Sequence, residues 1–135
     1  MITLISQWNV RNNLSDSEWS ELVDNLQSLA ATVEAAEPAT LAYRVHTAAP
    51  DPRQADSHKK HTPDQAAERR HVTFYEVYEC AQSFQIHLDG KPFNDFVRDN
   101  IRFFKENPER PGYPSTTTTF LHKESGYFRQ PTDQN

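Results

Sequence analysis

Two amphipathic helical segments separate four segments with β-strand patterns, and this order restricts the folds open to the chain. The strand patterns cover residues 2–8, 40–47, 71–79 and 115–125, which are rich in β-branched and aromatic residues. The order is therefore strand, helix, strand, strand, helix, strand. It predicts an α+β, ferredoxin-like βαββαβ fold, with both helices on one face of a four-stranded antiparallel sheet.

The first helix has clear start and stop signals. Ser15 and Glu18 have the spacing of a capping box, in which each side chain accepts a hydrogen bond from the backbone of the other. Apolar residues then recur at helical spacing from Trp19 to Val33. Because the residue before a proline disfavours helical geometry, the helix should end ahead of Pro38.

The second helical region follows the third strand at once. A helix is predicted from about Ala81 to Asp89, with Gly90 in the left-handed conformation that often ends a helix. Pro92 is suited to the first position of a further helical segment, whose phenylalanines fall on one stripe. The proline-rich residues 107–115 should connect this segment to the last strand.

Apolar side chains occur on both faces of the predicted strands. In the first strand Ile5 alternates with Leu4, and in the third Val77 alternates with Phe74. A sheet covered on one face only should be polar on the other. We therefore expect a second layer, and a second copy of the chain, closing a dimeric α/β barrel, is the simplest one.

Length and charge limit the organisation and the partners. The 135 residues suit one domain, here residues 1–128, followed by a frayed tail over 129–135. The net charge of -5 argues against nucleic acid and membrane surfaces and favours a small neutral ligand. Cys80 is the single cysteine, which excludes an internal disulfide and suits a reducing, cytoplasmic location.

Residues 48–70 carry most of the polarity of the chain. They include three prolines and no aromatic or large aliphatic residue, so burial cannot offset the entropy of ordering them. We expect a long mobile insertion with one helical turn near Thr62, and a lid is one role open to it. His58, His61 and His71 lack ligand spacing, so no metal site is predicted.

Three segments resemble the antibiotic biosynthesis monooxygenase family. They are EPATLAYRVH (37–46), VTFYEVYECAQSFQIHL (72–88) and PFNDFVRDNI (92–101). Ala39 stands where the family usually has glycine, and Tyr78 where tryptophan is common. The matching residues are Glu37, Pro38, Tyr43, His46, Tyr75, Glu76, His87, Leu88, Phe93 and Phe96.

The resemblance implies a dimeric ferredoxin-like barrel that oxygenates an aromatic quinol, anthrone or polyketide-derived molecule without metal or flavin. Such chemistry needs a base in an apolar chamber, because the deprotonated substrate can give an electron to dioxygen. A histidine has a suitable pKa. We predict His87 as the base, Glu76 as its partner and His46 as a third catalytic residue. The predicted substrate-binding residues are Tyr43, Arg44, Phe74, Tyr75, Tyr78 and Phe93.

Other interpretations of the same residues remain open at this point. Similar barrels act as polyketide cyclases or isomerases, or bind small molecules without catalysis, because a fold does not define chemistry. Glu76, Arg44 and His46 are also compatible with a buried cross-strand network that sets strand register. His87 is also compatible with a capping or packing role.

Overall fold

The structure is a computed structural model that describes residues 1–49, 51–53 and 70–132. Neighbouring strands are antiparallel in the order β2-β3-β1-β4. This confirms the ferredoxin-like α+β prediction, and the second helical region consists of two short helices, as the sequence predicted. The elements are β1 Ile2–Asn9, α1 Asp16–Ala36, β2 Thr40–Thr47, β3 His71–Tyr78, α2 Ala81–Asp89, α3 Lys91–Asn100, a 3₁₀ turn Ile101–Phe103 and β4 Thr116–Leu121.

The predicted capping box opens α1. The Ser15 side chain accepts a hydrogen bond from the Glu18 N–H at 3.1 Å, and Glu18 Oε1 accepts one from the Ser15 N–H at 3.0 Å. Both bonds satisfy backbone donors that the first helical turn leaves unpaired. The helix ends at Glu37, whose N–H donates to the carbonyl of Val33 at 2.9 Å.

Gly90 joins α2 to α3 in a conformation that differs from the prediction. Its φ of -74° and ψ of 154° are extended, because the residue closes α2 and also caps the N-terminus of α3. A left-handed conformation at Gly90 would direct the chain away from α3, which begins at the next residue, Lys91. An added Cβ would lie 3.0 Å from the carbonyl oxygen of Ile86, a tight contact that would require a small shift of the backbone.

The core lies between the helices and one face of the sheet. Trp8 of β1 is its centre and is 5% exposed. Its indole is surrounded by phenylalanine rings whose centroids lie 4.9 to 6.0 Å away, a spacing at which aromatic rings attract each other. These rings belong to Phe74, Phe93, Phe96 and Phe104.

The opposite face of the sheet, here called the open face, is covered by no helix within the described residues. Strand alternation and register place a mixed set of side chains there. The last strand contributes mainly threonines. The apolar members of the open face are Ile5, Ala42, Tyr75, Val77 and Leu121.

Part of the predicted organisation lies outside the described residues. The helical turn at Thr62, the lid and the histidines His58 and His61 belong to residues 54–69, so these expectations remain predictions. Residues 129–132 at the end of the described chain are exposed, and the frayed tail over 129–135 stays a prediction. Across residues 1–49, 51–53 and 70–132, no helix has the length and apolar character required to cross a membrane.

Candidate active site

A carboxylate and an imidazole form the centre of the candidate site. His87, in the last turn of α2, is 1% exposed, and its Nδ1 lies 2.8 Å from Oε1 of Glu37 at the C-terminus of α1. The same carboxylate oxygen accepts a hydrogen bond from the Thr40 hydroxyl at 3.1 Å. Since an ionised carboxylate can only accept, Nδ1 is the ring nitrogen that carries the proton, an assignment from the hydrogen-bond pattern.

The other ring nitrogen of His87 has no hydrogen-bond partner among the described residues. Nε2 lies 3.9 Å from Glu76 Oε1, beyond hydrogen-bond distance. Burial lowers the pKa of His87, although the hydrogen bond that its Nδ1 donates to Glu37 acts in the opposite direction. The ring is therefore neutral near pH 7, with an unused lone pair on Nε2.

Glu76 and Tyr78 form a second buried pair on β3. The Tyr78 hydroxyl donates to Glu76 Oε1. The pKa of Glu76 is raised to about 7, mainly by burial, while the bond from Tyr78 lowers it and the nearby charge of Glu37 raises it. Burial and the Glu76 charge also raise the pKa of Tyr78, which keeps its donor proton. Glu76 can therefore exchange a proton near neutral pH.

Glu76 and His87 border a cavity of about 690 Å³ on the helix side of the sheet. This volume is within the range of small-molecule sites. The helices leave the β4 side of the sheet uncovered, so the side chains of Thr116 and Thr118 on the cavity wall remain exposed. The lining residues are Leu4, Ser6, Trp8, Tyr43, Glu76, Phe84, Gln85, His87, Leu88, Asp89, Phe93, Asn94, Arg110, Tyr113, Thr116 and Thr118.

A row of polar groups forms another part of the cavity wall. The indole N–H of Trp8 donates to Ser6 Oγ at 3.0 Å, and the Ser6 and Thr118 hydroxyls lie 2.9 Å apart. The hydrogen bond between the two hydroxyls uses only one of their two hydrogens, so the other hydrogen remains available. The wall therefore offers a hydrogen-bond donor to an oxygen atom of a ligand.

Four residues predicted for the site lie together on the cavity wall. They are Glu76, His87, Tyr43 and Phe93. The rings of Tyr43 and Phe93 each have their centroid 5.1 Å from that of His87. Burial raises the pKa of Tyr43 well above its usual value, so its phenol is neutral. The imidazole is thus enclosed by aromatic rings.

Three other predicted site residues are on the open face, away from the cavity. Tyr43 pairs with Glu76 across the two strands, so Arg44 and His46 alternate to the other side of β2, where both are exposed. Tyr75 faces the same way from β3. The structure therefore does not bring His46 to the cavity, and it does not place Arg44 or His46 on the face of Glu76, as the alternative network requires.

Phe74 and Tyr78 are on the helix side but do not line the cavity. Both are fully buried. Phe74 packs against Trp8, with 4.9 Å between ring centroids, and belongs to the core. Tyr78 acts on the site through its bond to Glu76. The structure therefore shows a packing contact for Phe74 and a bond to Glu76 for Tyr78, and it places neither on the cavity wall.

The sequence analysis assigned no site role to Glu37, Ser6, Arg110 or Tyr113. Glu37 was recognised only as part of a resemblance, and 50 positions separate it from His87. A buried acid directly before Pro38, at the end of an amphipathic helix, is the signal that could have drawn notice to it. Ser6 shares the inward face of β1 with Trp8, which gives a similar but weaker signal.

Within the described ranges, no group of three His, Cys, Asp or Glu side chains is arranged to hold a metal ion. The geometry explains this result, because Glu37 and Glu76 approach opposite nitrogens of the His87 ring. Their oxygens do not converge with a ring nitrogen on one point. The prediction for His58, His61 and His71 is not addressed, since two of these residues lie outside the described ranges.

Solved structures with this architecture cover nearly the whole chain. A Caulobacter crescentus protein that was provisionally named an antibiotic biosynthesis monooxygenase is 15% identical, with a TM-score of 0.62 over 92% of this chain and 90% of its own. Another structure named antibiotic biosynthesis monooxygenase is 16% identical, with a TM-score of 0.57 over 93% of this chain and 100% of its own. A Bacteroides fragilis protein of unknown function, described as dimeric and ferredoxin-like, is 6% identical. Its TM-score is 0.62, over 90% of this chain and 95% of its own.

No protein-family model and no curated protein matches the sequence. At these identities the structural likeness demonstrates a shared fold. The chain is thus a ferredoxin-like α+β protein with a buried carboxylate and imidazole site. Its fold is that of solved proteins named antibiotic biosynthesis monooxygenases.

Proposed function

We propose that the protein is a cofactor-independent monooxygenase that acts on an aromatic quinol, anthrone or polyketide-derived small molecule. One observation carries the proposal: His87 lines a cavity large enough for such a ligand, and its buried Nε2 has no hydrogen-bond partner among the described residues. An isolated acceptor of this kind costs free energy in a folded protein. This cost is offset when Nε2 accepts a proton from the substrate.

The reaction begins with proton transfer from a substrate carbon or phenol to His87 Nε2. Glu37 then faces an imidazolium and stabilises it, as a carboxylate does in other acid–base dyads. The substrate anion gives electrons to dioxygen. One oxygen atom is retained on the substrate carbon and the other leaves as water, so an anthrone CH₂ and O₂ yield a C=O and H₂O.

A cyclase or isomerase reaction is the second candidate, and the state of Glu76 favours it. Its pKa of about 7 allows it to accept or return a proton near neutral pH, 3.9 Å from His87 Nε2. Two proton carriers beside one cavity suit removal of a proton from one atom and its delivery to another. This reaction uses no oxygen, which separates it from the first candidate.

Association of two copies through the open face is part of the proposed function. The apolar residues Ile5, Val77 and Leu121 alternate there with polar ones, and the exposed fractions of Ile5 and Leu121 are 37% and 41%. A structure with the same fold is described as dimeric. A dimer would bury this face and leave the cavity, on the helix side, accessible.

Oxygen uptake tests the proposal. The protein is first mixed anaerobically with a panel of quinols and anthrones, and air is then admitted. Product is analysed before and after the admission of air. We expect uptake that His87→Gln abolishes and that His122→Gln, at an exposed position, leaves unchanged. Product formation before air establishes the isomerase or cyclase instead. Tight ligand binding with no turnover, unaltered by His87→Gln, indicates a non-catalytic binding protein.

A further inference from the structure

Arg110 lies at the rim of the cavity and has no ion-pair partner among the described residues. The side chain is exposed, and its guanidinium carbon lies 3.6 Å from the centroid of the Tyr113 ring. A turn holds the two residues together, with the Tyr113 N–H donating to the Arg110 carbonyl at 3.1 Å. Among the residues that the structure describes, the guanidinium forms no ion pair. Stacking orients the group and leaves its N–H donors available.

The other charges at the cavity have the opposite sign. Glu76 and Asp89 line the wall, and Glu37 lies behind His87. Arg110 is the one lysine or arginine on the described part of the wall. A ligand anion placed deep in the cavity would be repelled by the buried carboxylates, where the dielectric is low. The same anion at the rim would meet a guanidinium suited to bind a carboxylate through two hydrogen bonds.

We propose, on the basis of the function proposed above, that the substrate is an aromatic acid. Its carboxylate binds Arg110 at the rim, and its neutral phenolic or keto end points towards His87. The ring lies between these points, beside Phe93 and Tyr113, whose centroids are 6.4 Å apart. Charge therefore determines which end of the molecule meets the base.

The net charge of -5 does not oppose this assignment. Charges spread over the surface are screened within about 10 Å at ordinary salt, whereas a bidentate contact acts at hydrogen-bond distance. The preference for a small neutral ligand, based on net charge, is thus replaced by a preference for a ligand with one anionic end. The rest of the molecule is still neutral and apolar.

The test compares 6-hydroxy-2-naphthoic acid with its methyl ester, which have the same ring system and differ in charge. Binding to the full-length protein is measured by isothermal titration calorimetry at pH 7.5. The proteins are wild type, Arg110→Gln and the control Arg98→Gln, at an exposed arginine outside the cavity lining. We expect the acid to bind about 10-fold more tightly than the ester to wild type and to Arg98→Gln. The affinities should become equal in Arg110→Gln through weaker binding of the acid.

Three results overturn the inference: equal binding of acid and ester to wild type, an acid preference that survives Arg110→Gln, or binding of neither compound. The proposed function is judged separately, by oxygen uptake with neutral quinols. If the acid preference depends on Arg110 and no substrate consumes oxygen, the proposed function fails and the binding specificity stands. If neutral quinols consume oxygen and the acid has no preference, the specificity fails alone.

Discussion

Glu37 and His87 are 50 positions apart in the chain, yet their side chains meet at 2.8 Å inside the protein. Glu37 is at the C-terminus of α1, and His87 is in the last turn of α2. The ends of two helices on the same face of the sheet therefore form this contact. It leaves Nε2 as the ring nitrogen that can accept a proton, and the proposed chemistry depends on it.

Replacement of Glu37 by glutamine should lower kcat about 10- to 100-fold and leave KM nearly unchanged. The neutral amide cannot stabilise the imidazolium that forms when His87 accepts a proton. Thr40→Val is the matched control, because it removes the other hydrogen bond to the same oxygen and retains the carboxylate. Initial rates of oxygen uptake give both constants. An equal decrease of kcat in the two variants would show that Glu37 acts through its hydrogen bonds and not through its charge.

Glu76 should make the stability of the protein depend on pH. Its pKa rises from 4.5 to about 7 on folding, so the folded state holds this proton more tightly than the unfolded state. The contribution of Glu76 to the free energy of unfolding is therefore greatest below pH 4.5. It decreases by on the order of 3 kcal/mol as the pH rises to about 7. His87, with a lowered pKa, acts in the opposite direction, gaining stability as pH rises towards 6.5.

Comparison of wild type with Glu76→Gln isolates the contribution of Glu76. Free energies of unfolding from urea titrations at pH 5, 6, 7 and 8 should fall relative to the variant as pH increases. The amide can still accept the Tyr78 hydrogen bond, so packing should be retained. Parallel pH profiles for the two proteins would show that Glu76 is ionised in the folded state across this range.

The hydroxyl of Ser6 should contribute more to stability than that of Thr118. Ser6→Ala leaves the buried Trp8 N–H without its acceptor, which should cost about 1–3 kcal/mol. Thr118→Val keeps the bond from Trp8 to Ser6 and lies at an exposed position, so its cost should be below about 1 kcal/mol. Urea denaturation followed by tryptophan fluorescence measures both. The reverse order would contradict the assigned hydrogen bonds.

A charge on the open face should prevent dimer formation. Val77→Lys places an ammonium at the centre of the proposed interface, where burial of an unpaired charge is costly. In an isolated protomer the same side chain can reach water, so folding should be retained. Ile86→Lys is the control, because Ile86 is apolar and 58% exposed on α2. We expect sedimentation velocity to show dimers for wild type and Ile86→Lys and monomers for Val77→Lys; a monomeric wild type would contradict the proposed dimer.

Local signals in the sequence predicted the fold well. The Ser15 and Glu18 capping box and the strand alternation that turns Glu76 inward depend on residues close together in the chain. Gly90 was predicted in the left-handed conformation because that is the usual end of an isolated helix. The immediate start of α3 changes this requirement, and periodicity did not disclose how closely the two helices are joined.

The candidate site was predicted only in part, because strand register is not a local property. Alternation separates Tyr43 from Arg44 and His46, but it does not say which set faces Glu76. The pairing of Tyr43 with Glu76 shows that Tyr43 is on the same face as Glu76, so Arg44 and His46 are on the open face. Glu37 reaches His87 only after the sheet has positioned both helix ends, so no pattern within either segment predicts that contact.

The protonation of the His87 ring is the most direct test of the central claim. Two-bond ¹⁵N–¹H correlation spectra of ¹⁵N-labelled protein at pH 7.5 distinguish a protonated from an unprotonated ring nitrogen, and His87→Gln identifies the signals among those of six histidines. We predict a neutral ring with the proton on Nδ1 and a bare Nε2. A proton on Nε2, in either a neutral or a charged ring, would contradict the assignment of His87 as the base.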